Sequence, residues 1–297
     1  MFVKDMGKKR IFFIVMTVVF IMMAVVGAVI FVSRWNNNRR ANMEYSQLEE
    51  DVNPSVIATD APDEVPDELP DELPDTHQES DDSGLFDDKE ESDDFQGEIP
   101  VKEIDWEALH EKNEDIYAWI FVPDTKVDYP VLQDPDDPAY YLNHNIDGSK
   151  GLPGCIYTEN YNKKDFSDPN TVIYGHNMKN GTMFASLHSL EKTELTKEDH
   201  YFYIYTEDST YTYLIFAVYE FPARHLLLNY DLENEYVYEQ YQQDILNGFE
   251  TRPGGVNNIR EDIELDSDDR MVTLSTCVRD GNKSYRFLVA GKLMAVE

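Results

Sequence analysis

The chain has 297 residues and a formal net charge of −34, with 59 acidic against 25 basic side chains. This excess of negative charge argues that nucleic acid is not a partner, because phosphate binding needs clustered lysine and arginine. Two cysteines exclude a disulfide-rich scaffold and disfavour a multi-cysteine zinc site, whereas 41% apolar residues allow a substantial core.

The first predicted element is a transmembrane anchor at residues 11–32, a run of 22 residues without a charge. A helix of this length crosses a bilayer core of about 30 Å. The alternative is a cleaved signal peptide, whose apolar region usually has only about 7–15 residues. Slightly more basic residues precede the run than follow it. We therefore expect a single-pass protein of the cell membrane, with residues 1–10 as a cytoplasmic basic tail and the remainder extracellular.

Residues 33–98 are predicted to be a disordered, acidic, proline-rich stalk. Within them, residues 41–98 hold 22 acidic side chains and one basic one. A Pro-Asp-Glu repeat starts at Pro62, Pro66 and Pro70, and each proline removes a backbone donor that helices and sheets need. The alternative is a linker with no role beyond solubility. In either case, deletion of 41–98 is expected to leave the fold intact.

Residues 99–297 are predicted to form the folded domain, which is mostly β with flanking helices. A helix is expected at 105–117, where apolar residues recur near helical spacing. Eight segments rich in β-forming residues alternate with turn residues, which suggests a closed barrel or a sandwich. They are 119–122, 126–132, 154–157, 171–174, 201–205, 211–220, 271–276 and 285–293. Two more helices are predicted at 183–190 and 233–249, the second as a long insertion before the cysteine strand.

Three residues at the ends of predicted strands are candidates for catalysis. Cys277 follows the strand at 271–276, where a thiol can leave the core and act as a nucleophile. His176 follows the strand at 171–174 and a glycine, which places an imidazole at a rim. Arg286 lies nine residues after Cys277, and a hairpin would bring these two together. Considered singly, the cysteine could equally be an inert buried thiol and the arginine half of a surface ion pair.

Together these residues resemble the motifs of the sortases, the cysteine transpeptidases of Gram-positive cell surfaces. The motifs are TLSTC at 273–277, an arginine nine residues later, and YGHN at 174–177. The likeness covers residues 99–297 and is greatest to class B. The likeness to class B rests on a predicted helix before the first strand, the YYLNHN segment at 140–145, and a long predicted helix before the cysteine strand.

The resemblance implies an eight-stranded sortase-type β-barrel with an N-terminal helix and a long helix inserted before the cysteine strand. It implies a catalytic triad of His176, Cys277 and Arg286, and neither a cofactor nor a metal. The chemistry fits these residue types, because acyl transfer needs a nucleophile, a proton carrier and a group that stabilises an oxyanion.

Three more positions are implied to lie near the substrate, namely Tyr174, Ser275 and Leu142. Pro138 stands where an asparagine is often found in the family, four residues before the leucine. The substrate contacts of the loop after the second strand are therefore left open. Cys155 lies on another predicted strand and is expected to be a small core residue.

The implied reaction cleaves a C-terminal sorting motif after its threonine and leaves a thioester on Cys277, which an amine then resolves. The implied partners are surface proteins that carry the motif, the membrane, and an amine from a peptidoglycan precursor or from a pilin lysine. Three alternatives stay open at this point. They are a cysteine protease that releases surface proteins, a sortase that polymerises pilins, and a non-catalytic surface adhesion module.

Overall fold

The computed structural model describes residues 3–52, 95 and 97–297. Most of the predicted stalk, residues 53–94, lies outside the described residues, as does the very start of the predicted cytoplasmic tail. The described part consists of a long N-terminal helix and a mainly β domain.

Nine strands of the described part of the chain form a single sheet. They are β1 (Ile116–Val122), β2 (Val127–Leu132), β3 (Ile156–Thr158), β4 (Asn170–Tyr174), β5 (Tyr201–Tyr205), β6 (Thr210–Pro222), β7 (Asn257–Ile259), β8 (Met271–Cys277) and β9 (Tyr285–Val296). Eight of them follow the order β5-β1-β2-β3-β4-β8-β9-β6, and a further pairing of β5 with β6 closes the ring. β7 pairs only with the second half of β6, after β5 has ended. The expected eight-stranded barrel with its helices is therefore confirmed.

Both faces of much of this sheet are covered, which explains why its strands are nearly continuous apolar runs. The barrel interior contains large buried side chains, among them Trp119, Phe202 and Tyr213. On the opposite face, a second apolar cluster lies beneath the insertion that follows β6. This insertion contains two helices, α3 (Leu226–Asn229) and α4 (Glu235–Leu246).

The helix before the first strand, α2, spans Trp106–Lys112. It begins where predicted because the Asp105 carboxylate accepts a hydrogen bond from the Ala108 backbone N–H at 2.9 Å. It ends earlier than the predicted 105–117, because the chain becomes extended after Lys112 and β1 begins at Ile116.

The other two predicted helices are present with shifted ends. The segment predicted at 183–190 is a 3₁₀ helix, Phe184–Lys192. The long insertion predicted at 233–249 is α4, and its first turn is capped by Asn234, which accepts from the Val237 backbone N–H at 3.2 Å. Both lie between strands and leave the barrel order unchanged.

The N-terminal helix, α1 (Val3–Val52), is longer than the predicted anchor. Within the described residues it is the one helix long and apolar enough to cross a membrane, by length and composition. Apolar side chains in its middle are exposed, for example Phe20 and Phe31 at 61% and 70%. The helix continues through residues 33–52, so the expectation of disorder does not hold for that part of the predicted stalk.

The C-terminal part of α1 packs against the barrel through Ala41, Tyr45 and Leu48, which are all buried. The Tyr45 hydroxyl donates to the Gly154 carbonyl at 2.9 Å, and its ring meets that of Tyr129 edge-on at 5.7 Å. The spacing of these three residues places them on one face of a helix, a pattern hidden by the acidic residues around them. Deletion of 41–98 would therefore remove buried residues, contrary to the expectation from composition.

Replacing Tyr45 with alanine is expected to release this part of α1 from the barrel. The loss of a buried aromatic side chain costs on the order of 3 kcal/mol, here together with the hydrogen bond to Gly154. Limited proteolysis of the detergent-solubilised chain should then cut α1 faster within residues 35–52. Met43→Ala on the same helix is the control, since Met43 is 49% exposed. Equal cleavage rates for the two variants would show that Tyr45 does not hold the helix.

Candidate active site

Three adjacent strands bring the predicted triad to one edge of the barrel. β4 and β8 are parallel neighbours in which Tyr174 pairs with Ser275, so His176 and Cys277 each emerge two residues beyond a matched pair. β8 and β9 are antiparallel, and Cys277 lies directly opposite Arg286. Directly opposed residues in such a pair have Cα atoms about 4.5–5.5 Å apart. The sheet register therefore places all three side chains in one neighbourhood.

Cys277 is the accessible thiol of the chain. It is the last residue of β8 and is exposed, whereas the six residues before it are buried. Cys155 is fully buried and unpaired, and burial raises the pKa of its thiol to about 12 despite a contact of 3.2 Å with the Tyr45 hydroxyl. A thiol with that pKa is protonated at neutral pH, so Cys155 is the core residue that its position suggests.

His176 is oriented by a backbone carbonyl. Its Nε2 lies 2.7 Å from the carbonyl oxygen of Leu142, which can only accept, so Nε2 carries a hydrogen. Nδ1 makes no hydrogen bond with any described residue and is the nitrogen left to exchange a proton. The preceding glycine allows close packing, because a Cβ on Gly175 would lie 2.5 Å from Ile156 Cδ1 and 2.7 Å from the Phe184 ring and would force them to shift.

Most of the N–H donors of the Arg286 guanidinium are available to a ligand. Its Nη1 donates to the carbonyls of Lys283 and Tyr285 at 3.2 and 3.0 Å. Its Nη2 and Nε have no hydrogen-bond partner within the described part of the chain. Arg279, which is nearer to Cys277 in sequence, pairs with Glu191 at 3.2 Å and has a side chain that is 66% exposed.

A cavity of about 200 Å³ adjoins this arginine. Tyr174, Ser275 and Arg286 line it, together with residues 221–226 between the end of β6 and the start of α3. Two of the three residues expected near a substrate therefore share a cavity with Arg286. Leu142 does not line this cavity, although its side chain is 42% exposed and its carbonyl contacts His176.

Two residues that line this cavity, Tyr174 and His225, share a buried carboxylate that the sequence analysis missed. Glu159 accepts hydrogen bonds from the Tyr174 hydroxyl at 3.1 Å and from His225 Nε2 at 2.7 Å. His225 Nδ1 accepts from the Leu228 backbone N–H, which leaves the ring hydrogen on Nε2. Burial raises the pKa of Glu159, and burial together with the charge of Glu159 raises that of Tyr174. These contacts connect the loop that carries His225 to the barrel.

A larger groove, of about 830 Å³, lies on the other side of the site. Residues 35–46 of α1 form one wall, and Leu152 with the segment 176–180 forms the other. His176 therefore faces a groove built partly by the N-terminal helix. Within the described residues, no group of three or more His, Cys, Asp or Glu side chains is arranged to hold a metal ion.

Comparison with known proteins identifies relatives that share this fold. Residues 120–294 match the family model of the Sortase domain. The chain is 37% identical over 191 residues to Sortase B of Listeria monocytogenes. The aligned region covers 63% of this chain and 72% of that protein. It is 28% identical over 192 residues to Sortase B of Staphylococcus aureus, with coverages of 64% and 75%. The X-ray structure of Clostridium perfringens sortase B superimposes with a TM-score of 0.53 at 31% identity, covering 64% of this chain and 100% of that one.

Proposed function

Because the chain belongs to the sortase family of cysteine transpeptidases, as a class B member, we propose that it attaches surface proteins to a cell-wall amine. The substrate is a protein with a C-terminal sorting motif, which is cleaved after its threonine. The observation that carries this proposal is the exposed thiol at the end of β8, directly opposite Arg286 and next to the strand that leads to His176.

The reaction has two acyl transfers. The Cys277 thiol gives its proton to His176, its sulfur attacks the threonine carbonyl carbon, and the oxyanion that forms is stabilised by the free donors of Arg286. The C–N bond then breaks, His176 gives a proton to the leaving amine, and a thioester remains. In the second transfer an amine attacks the thioester and loses a proton to His176, and the released cysteine sulfur takes that proton back to restore the thiol.

Arg286 suits this role because a guanidinium stays charged and presents several donors in a rigid fork. We propose that Tyr174 and Ser275 contact the sorting motif from the wall of the cavity that they share with Arg286. Leu142 would contact the substrate from the other side of His176, with its partly exposed side chain.

We further propose that residues 11–32 anchor the protein in the cell membrane, with residues 1–10 in the cytoplasm and the domain at 99–297 outside. The exposed apolar side chains of α1 support this location, because lipid is the environment in which such exposure is favourable. Residues 53–94 would then be the remaining stalk.

Mass spectrometry after incubation with a library of sorting-motif peptides tests the proposed function. We expect an acyl adduct on Cys277 whose mass ends at the threonine, and its transfer when an amine acceptor is added. Acceptors that mimic a peptidoglycan amine and a pilin lysine distinguish cell-wall attachment from pilin assembly. Hydrolysis alone, even with amine present, would indicate a protease, and the absence of any adduct would contradict the proposal.

A further inference from the structure

The backbone carbonyl of Cys277 accepts a hydrogen bond from Asn177, a residue outside the proposed triad, and lies close to the His188 ring. Asn177 Nδ2 donates to this oxygen at 2.9 Å, and His188 Nε2 lies 3.1 Å from it. Asn177 directly follows His176 in the chain. The Asn177 side chain therefore links the segment that contains His176 to Cys277.

His188 is fixed on three sides. It is buried, with 4% of its surface exposed, and its ring centroid lies 4.1 Å from that of Phe287. Its Nδ1 lies 2.8 Å from Glu191 Oε1. A carboxylate only accepts hydrogen bonds, so Nδ1 carries the hydrogen and Nε2 can accept. Asn177 Nδ2 lies 3.1 Å from Nε2. One amide hydrogen thus goes to His188 and the other to the Cys277 carbonyl.

These contacts begin where the strand pairing stops. The pairing of β4 with β8 ends at Tyr174 and Ser275, and one more backbone bond joins the Gly175 N–H to the Ser275 carbonyl at 3.1 Å. Beyond that bond, the Asn177 side chain is the next link between the two segments. An error of about 1 Å in the placement of reacting groups can cost roughly a hundredfold in rate.

We propose that Asn177, oriented by His188, is a positioning residue that sets the location of the Cys277 thiol relative to the His176 imidazole. The proposal rests on the proposed function, in which these two residues react together. Because the His188 hydrogen lies on Nδ1, its Nε2 cannot donate to the nearby Cys277 carbonyl, and His188 acts on Cys277 through Asn177.

The first test is the steady-state kinetics of Asn177→Ala on a sorting-motif peptide. We expect kcat to fall roughly 10- to 100-fold, with KM within about twofold, because the thiol and the imidazole are misplaced while the substrate cavity is unchanged. Ser189→Ala is the matched control, since Ser189 is exposed and adjacent to His188. An unchanged kcat, or a rise in KM alone, would overturn the proposal.

The second test separates positioning from general stability. His188→Gln keeps an acceptor near the place of Nε2 and should retain kcat within about fivefold, whereas His188→Leu should match Asn177→Ala. The double variant Asn177→Ala with His188→Leu should be no slower than either variant alone, because both remove the same link. Equal activity of His188→Gln and His188→Leu would show that His188 does not orient Asn177. Additive losses of kcat in the double variant would show the same.

A third measurement does not depend on the proposed reaction. The rate at which iodoacetamide alkylates Cys277 should change in Asn177→Ala and stay unchanged in Ser189→Ala, with equal thermal unfolding midpoints. If the unmodified chain forms no acyl adduct, the proposed function fails. The comparison of the two alkylation rates still tests whether Asn177 positions Cys277. An identical alkylation rate in both variants would contradict the positioning even if the proposed function holds.

Discussion

Replacing Cys277 with alanine is expected to abolish turnover, the largest effect that we expect from a single substitution in this chain. No other described group can take its place, because Cys155 is fully buried with a pKa raised to about 12. The barrel should remain folded, since Cys277 is exposed at the end of β8 and contributes little to the core. Peptide cleavage and the acyl adduct, followed by mass spectrometry, measure the loss.

The matched control is Cys155→Ala. This variant keeps the thiol on β8 and should form the same acyl adduct at a similar rate. A thiol-reactive probe at neutral pH should label the unmodified chain at Cys277 and leave Cys155 unlabelled until the protein is unfolded. Turnover that persists in Cys277→Ala, or that disappears in Cys155→Ala, would place the nucleophile elsewhere.

The second large effect is expected for Arg286→Lys. Lysine keeps the positive charge but loses the planar fork, and removal of one oxyanion donor typically lowers kcat about 10²- to 10³-fold. Arg286 lies opposite Cys277 in the pairing of β8 with β9, and its proposed role is to donate to the oxyanion that forms at the thiol. Steady-state kinetics should show the loss mainly in kcat, with the acyl adduct forming slowly.

Arg279→Ala is the control for this substitution, although Arg279 is the arginine nearer to Cys277 in sequence. Its side chain is largely exposed, and its ion pair with Glu191 is a surface pair, worth at most about 1 kcal/mol. Activity should therefore stay within about fivefold of the unmodified chain. An inactive Arg279→Ala beside an active Arg286→Lys would reverse the assignment of the two arginines.

Much of the fold could be predicted because its elements are local. All eight predicted segments are strands of the barrel, since β-branched and aromatic runs between turn residues favour extended chain on a covered sheet. The strand that the sequence analysis missed, β7, consists of Asn257, Asn258 and Ile259, which carry no such signal. β7 is a strand because β6 extends far enough beyond β5 to offer it a partner.

The extent of α1 was harder to predict for a different reason. The acidic composition around residues 41–52 favoured disorder, yet Ala41, Tyr45 and Leu48 form an apolar stripe. That stripe favours a helix only when a surface is present to bury it, and the barrel provides this surface near Gly154 and Tyr129. The surface lies more than 80 residues away in sequence.

The sequence by itself determined the chemical content of this protein: one long apolar segment, eight strand-forming runs, and a cysteine, a histidine and an arginine in family-specific motifs. These are properties of single segments, which propensity and residue chemistry decide. The tertiary structure alone decided which residues surround the site. Glu159 meets His225, and Asn177 meets the Cys277 carbonyl, across 66 and 100 residues. Such contacts arise from strand register and barrel closure, which no local pattern encodes.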